Sequence, residues 1–167
     1  TCGACEESRR SGACDMWDRS ENQITLVLIR HGATKSNIEH RYLGKTDELL
    51  SKEGERQLVE YKKLHLYPNI DFLFTSPMKR CIQTANILYP ELQPVQMKEW
   101  EEMDFGAFEG KNYVELQGNK LYQAWIDSNG TLPFPEGESR EEFITRCNKG
   151  FRGMVEKVEQ IKEEGRK

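Results

Sequence analysis

The sequence predicts an α/β protein, a three-layer sandwich with helices packed on a mostly parallel sheet. Three observations carry this. Strand-like and helix-like segments alternate, the first apolar run is rich in β-branched residues, and two later segments show apolar stripes at helical spacing. A length of 167 residues fits one domain with one core.

Residues 1–20 show neither strand nor helix period and read as an extension or linker, so the domain is taken as 21–167. Cys2, Cys5 and Cys14 lie in that extension; they could offer three thiolates, one fewer than a closed zinc site needs, and no metal is expected. Gln23 to Arg30, QITLVLIR, suits a strand covered on both faces of a parallel sheet. Lys52 to about Tyr67 reads as a helix with Leu58, Tyr61 and Leu64 on one side. Asp71 to Ser76 is a second strand. Ser76 and Pro77 then look like the N-cap and first position of a helix whose stripe is Met78, Cys81, Ile82, Ala85, Leu88 and Tyr89.

Pro94 to Met97 suits a third strand, and Asn112 to Ser128 a helix packing through Val114, Leu121 and Trp125. Ser139 and Glu142 form a capping-box pattern ahead of a long helix with Phe143, Cys147, Phe151, Met154, Val158 and Ile161 on its apolar face.

A formal net charge of −4 and a pI near 5.5 argue against a nucleic-acid partner, because such binding draws on many phosphate contacts by Lys and Arg. An anionic substrate must be caught by a local cluster. No stretch is apolar over the roughly 20 residues a membrane span needs, so no membrane partner is expected and the cytoplasm is the expected compartment. Five cysteines, only three of them close together, fit free thiols better than a disulfide framework. A homodimer stays open.

Three segments carry chemistry. Arg30-His31-Gly32 ends the first strand, the edge at which open α/β sheets bind ligands. It joins an imidazole nucleophile to a guanidinium fork, with a glycine that lets backbone approach. Thr75 to Arg80 follows the second strand and sets Arg80 in the first turn of its helix, whereas Lys79 and Thr84 read as surface residues. Trp100 to Gly110 sets carboxylates among large apolar side chains. A carboxyl group there, beside a phosphate, keeps its proton more easily, as a general acid for a leaving alkoxide must. Glu102 is the choice, with Glu99, Glu101 and Glu109 taken as solvated.

Together with Asn37, the Gly44 to Asp47 and Leu50 to Gly54 segments, TSPMKRCIQTA and EMDFGAFEG, these residues resemble the histidine phosphatase superfamily, also called phosphoglycerate mutase-like. The resemblance runs from about Ile24 to the last helix. It implies His31 as the phosphorylated nucleophile, Arg30 and Arg80 as phosphate ligands, Glu102 as proton donor, and Asn37 and Thr46 as supporting substrate contacts. It implies hydrolysis of a small phosphorylated metabolite, with no cofactor. Phe134 to Ser139, after a helix holding Tyr122 and Trp125, looks most like the small bacterial phosphatases typified by alpha-ribazole phosphatase of cobalamin synthesis, whose ester is alpha-ribazole 5'-phosphate.

The family also has a second active-site histidine on a late strand. Neither His40, in a loop, nor His65, at a helix end, fits that place. The chain is therefore expected to be part of a longer protein, with the C-terminal part of the sheet lying outside it. The alternatives are a phosphoglycerate mutase-type phosphotransferase or, should the chain end at Lys167, a non-catalytic protein that binds phosphate esters. The short stretch between Gly110 and Pro135 offers little cover from water and disfavours the first.

Overall fold

The structure, a computed structural model, describes residues 24–164. The Cys2, Cys5 and Cys14 extension lies outside them. The chain divides into two units, one ending at Arg30 and one beginning at His31.

In the first unit, residues 24–30 form no strand, and Ile24, Leu26 and Leu28 are 62, 49 and 86% exposed. A strand exists only through a ladder of hydrogen bonds to a neighbour, however apolar its sequence. Among the described residues no such ladder reaches 24–30.

The second unit is α/β and runs α1 (Lys35–Ile38), α2 (Lys52–Lys63), β1 (Phe74–Thr75), α3 (Lys79–Leu88), β2 (Val95–Gln96), α4 (Lys120–Asp127) and α5 (Arg140–Glu164). Its sheet is β1 and β2 in parallel, Phe74 opposite Val95 and Thr75 opposite Gln96, with α3 as the crossover. Both strands are two residues long and shorter than the expected runs, β1 lying towards the end of Asp71–Ser76 and β2 at the middle of Pro94–Met97.

The helices differ from expectation at their ends. Helix α2 opens as its sequence suggests, with the Ser51 side chain accepting from the Gly54 N–H. It closes sooner, because His65 turns into left-handed backbone (φ 53°) and the Leu66 N–H returns to the Tyr61 carbonyl. Helix α3 starts three residues after Ser76, with Met78 at the cap position and no side-chain cap of its own. The reason is tertiary. Asp47, from a distant loop, accepts the Lys79 N–H at 2.7 Å and so serves the helix end.

Helix α4 is the C-terminal half of the expected Asn112–Ser128 helix. Gly118 sits at φ 76° and Asn119 caps a fresh start, accepting from Leu121 and Tyr122. Val114 and Leu121 are exposed; Leu116, at 1% exposure, packs instead. Helix α5 begins as expected, Ser139 and Glu142 exchanging both capping-box hydrogen bonds. Its buried face is Gly150, Met154 and Val158, whereas Phe151 and Ile161 are exposed. A Cβ on Gly150 would lie 2.6 Å from Trp100 Nε1, so the indole takes the place a side chain would fill.

An aromatic core anchors the segment that follows β2. Phe108, Leu116 and Phe134 are buried at its centre, with Tyr42, Phe105, Tyr122 and Trp125 packed edge-on or stacked around them. Burial pushes the Tyr42 hydroxyl well up, helped by its 3.3 Å contact with the Tyr122 hydroxyl.

Candidate active site

His31 opens the second unit, half-buried, with Nδ1 2.8 Å from the Gly32 carbonyl oxygen. A carbonyl can only accept, so this contact places a proton on Nδ1, the arrangement that leaves Nε2 as the nucleophilic nitrogen whenever the ring is neutral. The Gly32 N–H donates to the Thr84 hydroxyl at 3.0 Å, and that hydroxyl donates to the Arg80 carbonyl at 2.8 Å. The His31 loop is thereby bound to α3 one turn beyond Arg80. Thr84 is buried, not the surface residue its sequence suggested, because the Gly32 N–H needs an acceptor there.

Arg80 is 1% exposed. Its terminal nitrogens donate to the Thr46 carbonyl at 3.0 Å and the Gly44 carbonyl at 3.1 Å, while Nε has no partner among the described residues. The same residues offer it no ion pair. A buried guanidinium with unused donors and no carboxylate is costly unless an anion completes it.

The loop that Arg80 holds is held again from behind. Glu109 Oε1 accepts the Gly44 N–H at 2.8 Å and the Thr46 N–H at 2.9 Å, and Oε2 is buried. This overturns the reading of Glu109 as a solvated carboxylate, since a loop rich in unpaired N–H groups attracts an acceptor wherever one can reach. Thr46 itself is exposed and enters the network through its main chain. Asn37 lies inside α1 and completes the capping box of Thr34, its side chain accepting from the Thr34 N–H while the Thr34 hydroxyl accepts from the Asn37 N–H.

Glu102 is half-buried, with Oε1 accepting its neighbour's Met103 N–H at 2.9 Å. Burial pushes up the thiol of Cys81, next to Arg80, and Arg80 and Glu102 act on it in opposite directions. Arg30 is exposed and closes the first unit.

The family model of the histidine phosphatase superfamily, branch 1, matches residues 26–162. This chain belongs to that superfamily. Among curated relatives it is 40% identical over 128 residues to an uncharacterized phosphatase, PhoE, of Bacillus subtilis, covering 75% of this chain and 62% of that protein. It is 31% identical over 139 residues to a 2,3-bisphosphoglycerate-dependent phosphoglycerate mutase of Bifidobacterium longum, covering 77% and 56%. The chain thus spans little more than half the length of such relatives. Among solved structures it is similar to a putative alpha-ribazole-5'-P phosphatase of Escherichia coli, with TM-score 0.69, 26% identity and coverage of 77% and 65%. It is also similar to a phosphoglycerate mutase of Thermus thermophilus, with TM-score 0.61, 31% identity and coverage of 74% and 68%. The superfamily is one of enzymes, phosphatases and mutases, and no helix among the described residues is long and apolar enough to cross a membrane.

One contributor escaped the sequence reading altogether. Arg146, on α5, binds the carboxylate of Glu138 through Nε at 2.6 Å and through a terminal nitrogen at 2.8 Å. The same guanidinium reaches three carbonyls of the Glu102 segment. Nothing in the sequence around Arg146 marks it, because its partners lie up to 47 positions away.

Proposed function

We propose that the complete protein is a phosphomonoesterase acting through a phosphohistidine on a small phosphorylated metabolite. The observation that carries this reading is Arg80: a buried cation with donors to spare, tied through Thr84 and Gly32 to an imidazole whose Nδ1 faces the Gly32 carbonyl. Arg30, beside His31 in sequence, supplies the second guanidinium.

His31 Nε2 attacks phosphorus in line, forming an N–P bond as the ester P–O bond breaks. The arginines neutralise the equatorial oxygens, and the Glu102 carboxyl gives its proton to the departing oxygen. Water then attacks phosphorus, the N–P bond breaks, and the water proton passes to the Glu102 carboxylate. Alcohol and phosphate leave, and His31 is again neutral. The likeness to alpha-ribazole phosphatases supports alpha-ribazole 5'-phosphate as the first ester to test. Mutase-type transfer is the second reading, favoured by the relatives that bear that name.

The test is His31→Ala in the full-length protein. Turnover should fall by about 10³-fold or more, while inorganic phosphate still binds because Arg80 remains, and acid-free quenching of the wild type should trap a phosphohistidine. Near-normal turnover by His31→Ala defeats the reading. Isomerisation of a phosphoglycerate faster than phosphate release moves it to the mutases.

A further inference from the structure

The Glu102 segment has no regular structure of its own between a 3₁₀ turn at Lys98–Trp100 and another at Gly106–Phe108. Something else must hold the acid. Arg146 donates from NH1 to the carbonyls of Glu99 at 2.9 Å and Glu101 at 2.6 Å, and from NH2 to the carbonyl of Glu102 itself at 3.0 Å. With the two bonds to Glu138, every one of the five N–H groups of a guanidinium is engaged.

The counterion is fixed as well. Glu138 is 13% exposed, its N–H donates to the Asp104 carbonyl at 2.9 Å, and its carboxylate accepts the Asp104 N–H at 3.4 Å. Arg146 and Glu138 therefore grip the chain on both sides of Glu102, at Glu99 to Glu102 and at Asp104. One turn further along α5, Gly150 seats Trp100. The carboxyl of Glu102 is bonded back to its own neighbour, so its position follows the main chain at 102 and 103.

We infer that Arg146 is the positioning residue for the proton donor: through the Glu102 carbonyl it sets where the Glu102 carboxyl stands relative to the leaving oxygen. This rests on the phosphatase reading above. It separates two kinds of ester. An alkyl phosphate needs a proton on its leaving oxygen, whereas a nitrophenyl phosphate expels a stable anion unaided. A residue that only holds the fold together, or only aids phosphate binding, affects both alike.

The experiment measures kcat/KM, which reports formation of the phosphoenzyme, for butyl phosphate and 4-nitrophenyl phosphate in the full-length protein. Arg146→Met should lose about 10- to 100-fold on butyl phosphate and less than about threefold on 4-nitrophenyl phosphate, part of the 10²- to 10⁴-fold that general acids supply. Arg146→Lys should behave like Arg146→Met, since an ammonium has three donors and no planar fork. Equal losses on the two esters, or full activity in Arg146→Lys, overturn the inference. If Arg146→Met fails to fold by circular dichroism, Glu138→Gln carries the test: it keeps the shape but weakens the grip, and should lose about three- to tenfold on butyl phosphate alone. An equal loss on both esters there overturns it too. Turnover of both esters by His31→Ala at the wild-type rate instead defeats the phosphatase reading itself.

Discussion

Two arginines bracket the site, and they are used in opposite ways. Arg146 is partly exposed and has every donor committed to protein, to Glu138 and the carbonyls of Glu99, Glu101 and Glu102. Arg80 is almost wholly buried, yet donates only to the carbonyls of Gly44 and Thr46 among the described residues. The saturated arginine belongs to the architecture. The unsaturated one is, on the reading proposed above, the ligand of the phosphate, because a desolvated cation with free N–H groups binds phosphate oxygens more strongly than a solvated one does. Accessibility alone would have assigned them the other way round.

The sharpest way to break this contrast is Arg80→Ala. Phosphate binding and turnover should both fall, turnover by about 10²- to 10³-fold, and on alkyl and nitrophenyl esters equally, unlike the selective loss expected at Arg146. Undiminished phosphate affinity by calorimetry would strip Arg80 of its role.

Gly44→Ala strikes between the two regions, since a Cβ there would collide with the Met103 carbonyl oxygen and crowd Glu109 Oε2 and Phe105. Stability should fall by about 1–3 kcal/mol through overpacking, read from the urea midpoint. An unchanged midpoint would mean that the loop and the acid segment do not touch as described.

The smallest effect is electrostatic. Lys45 pairs with Asp104 at 2.6 Å and, with the Gly106 N–H, holds that carboxyl below its ordinary value of 3.8. A depressed folded pKa gives stability that is complete above the unfolded value and is lost as pH falls through the folded one. Lys45 is largely exposed, so solvent screens the pair. Asp104→Asn should therefore run parallel to the wild type near neutrality, with the gap between them closing below about pH 4. A constant gap down to about pH 2 would show that the pair contributes nothing.

What could be read in the sequence was what is local. The capping box of Ser139 and Glu142 and the apolar stripe of α3 involve residues within a turn or two, and both formed. The order of β1, α3 and β2 followed from alternation alone. The start of α3 could not be read, because its cap is Asp47, 32 positions earlier. Glu109 and Arg146 were missed for the same reason: each serves main-chain groups of a distant loop, and backbone carries no side-chain signature. Residues 24–30 show the opposite failure, a strand pattern without a partner ladder among the described residues.

The hydroxyl of Thr84 has a further consequence, in the language of hydrogen exchange. The Gly32 amide proton is held by a side chain of α3 rather than by a neighbouring strand or turn. It can exchange with solvent only when Thr84 rotates away or α3 opens, so one proton beside His31 reports the free energy of the easier of those two openings. If the proposed phosphate binds Arg80, it should stabilise the closed state by mass action and slow that exchange. The amide of Gly32 is in this sense a built-in gauge of how firmly the His31 loop is docked on α3.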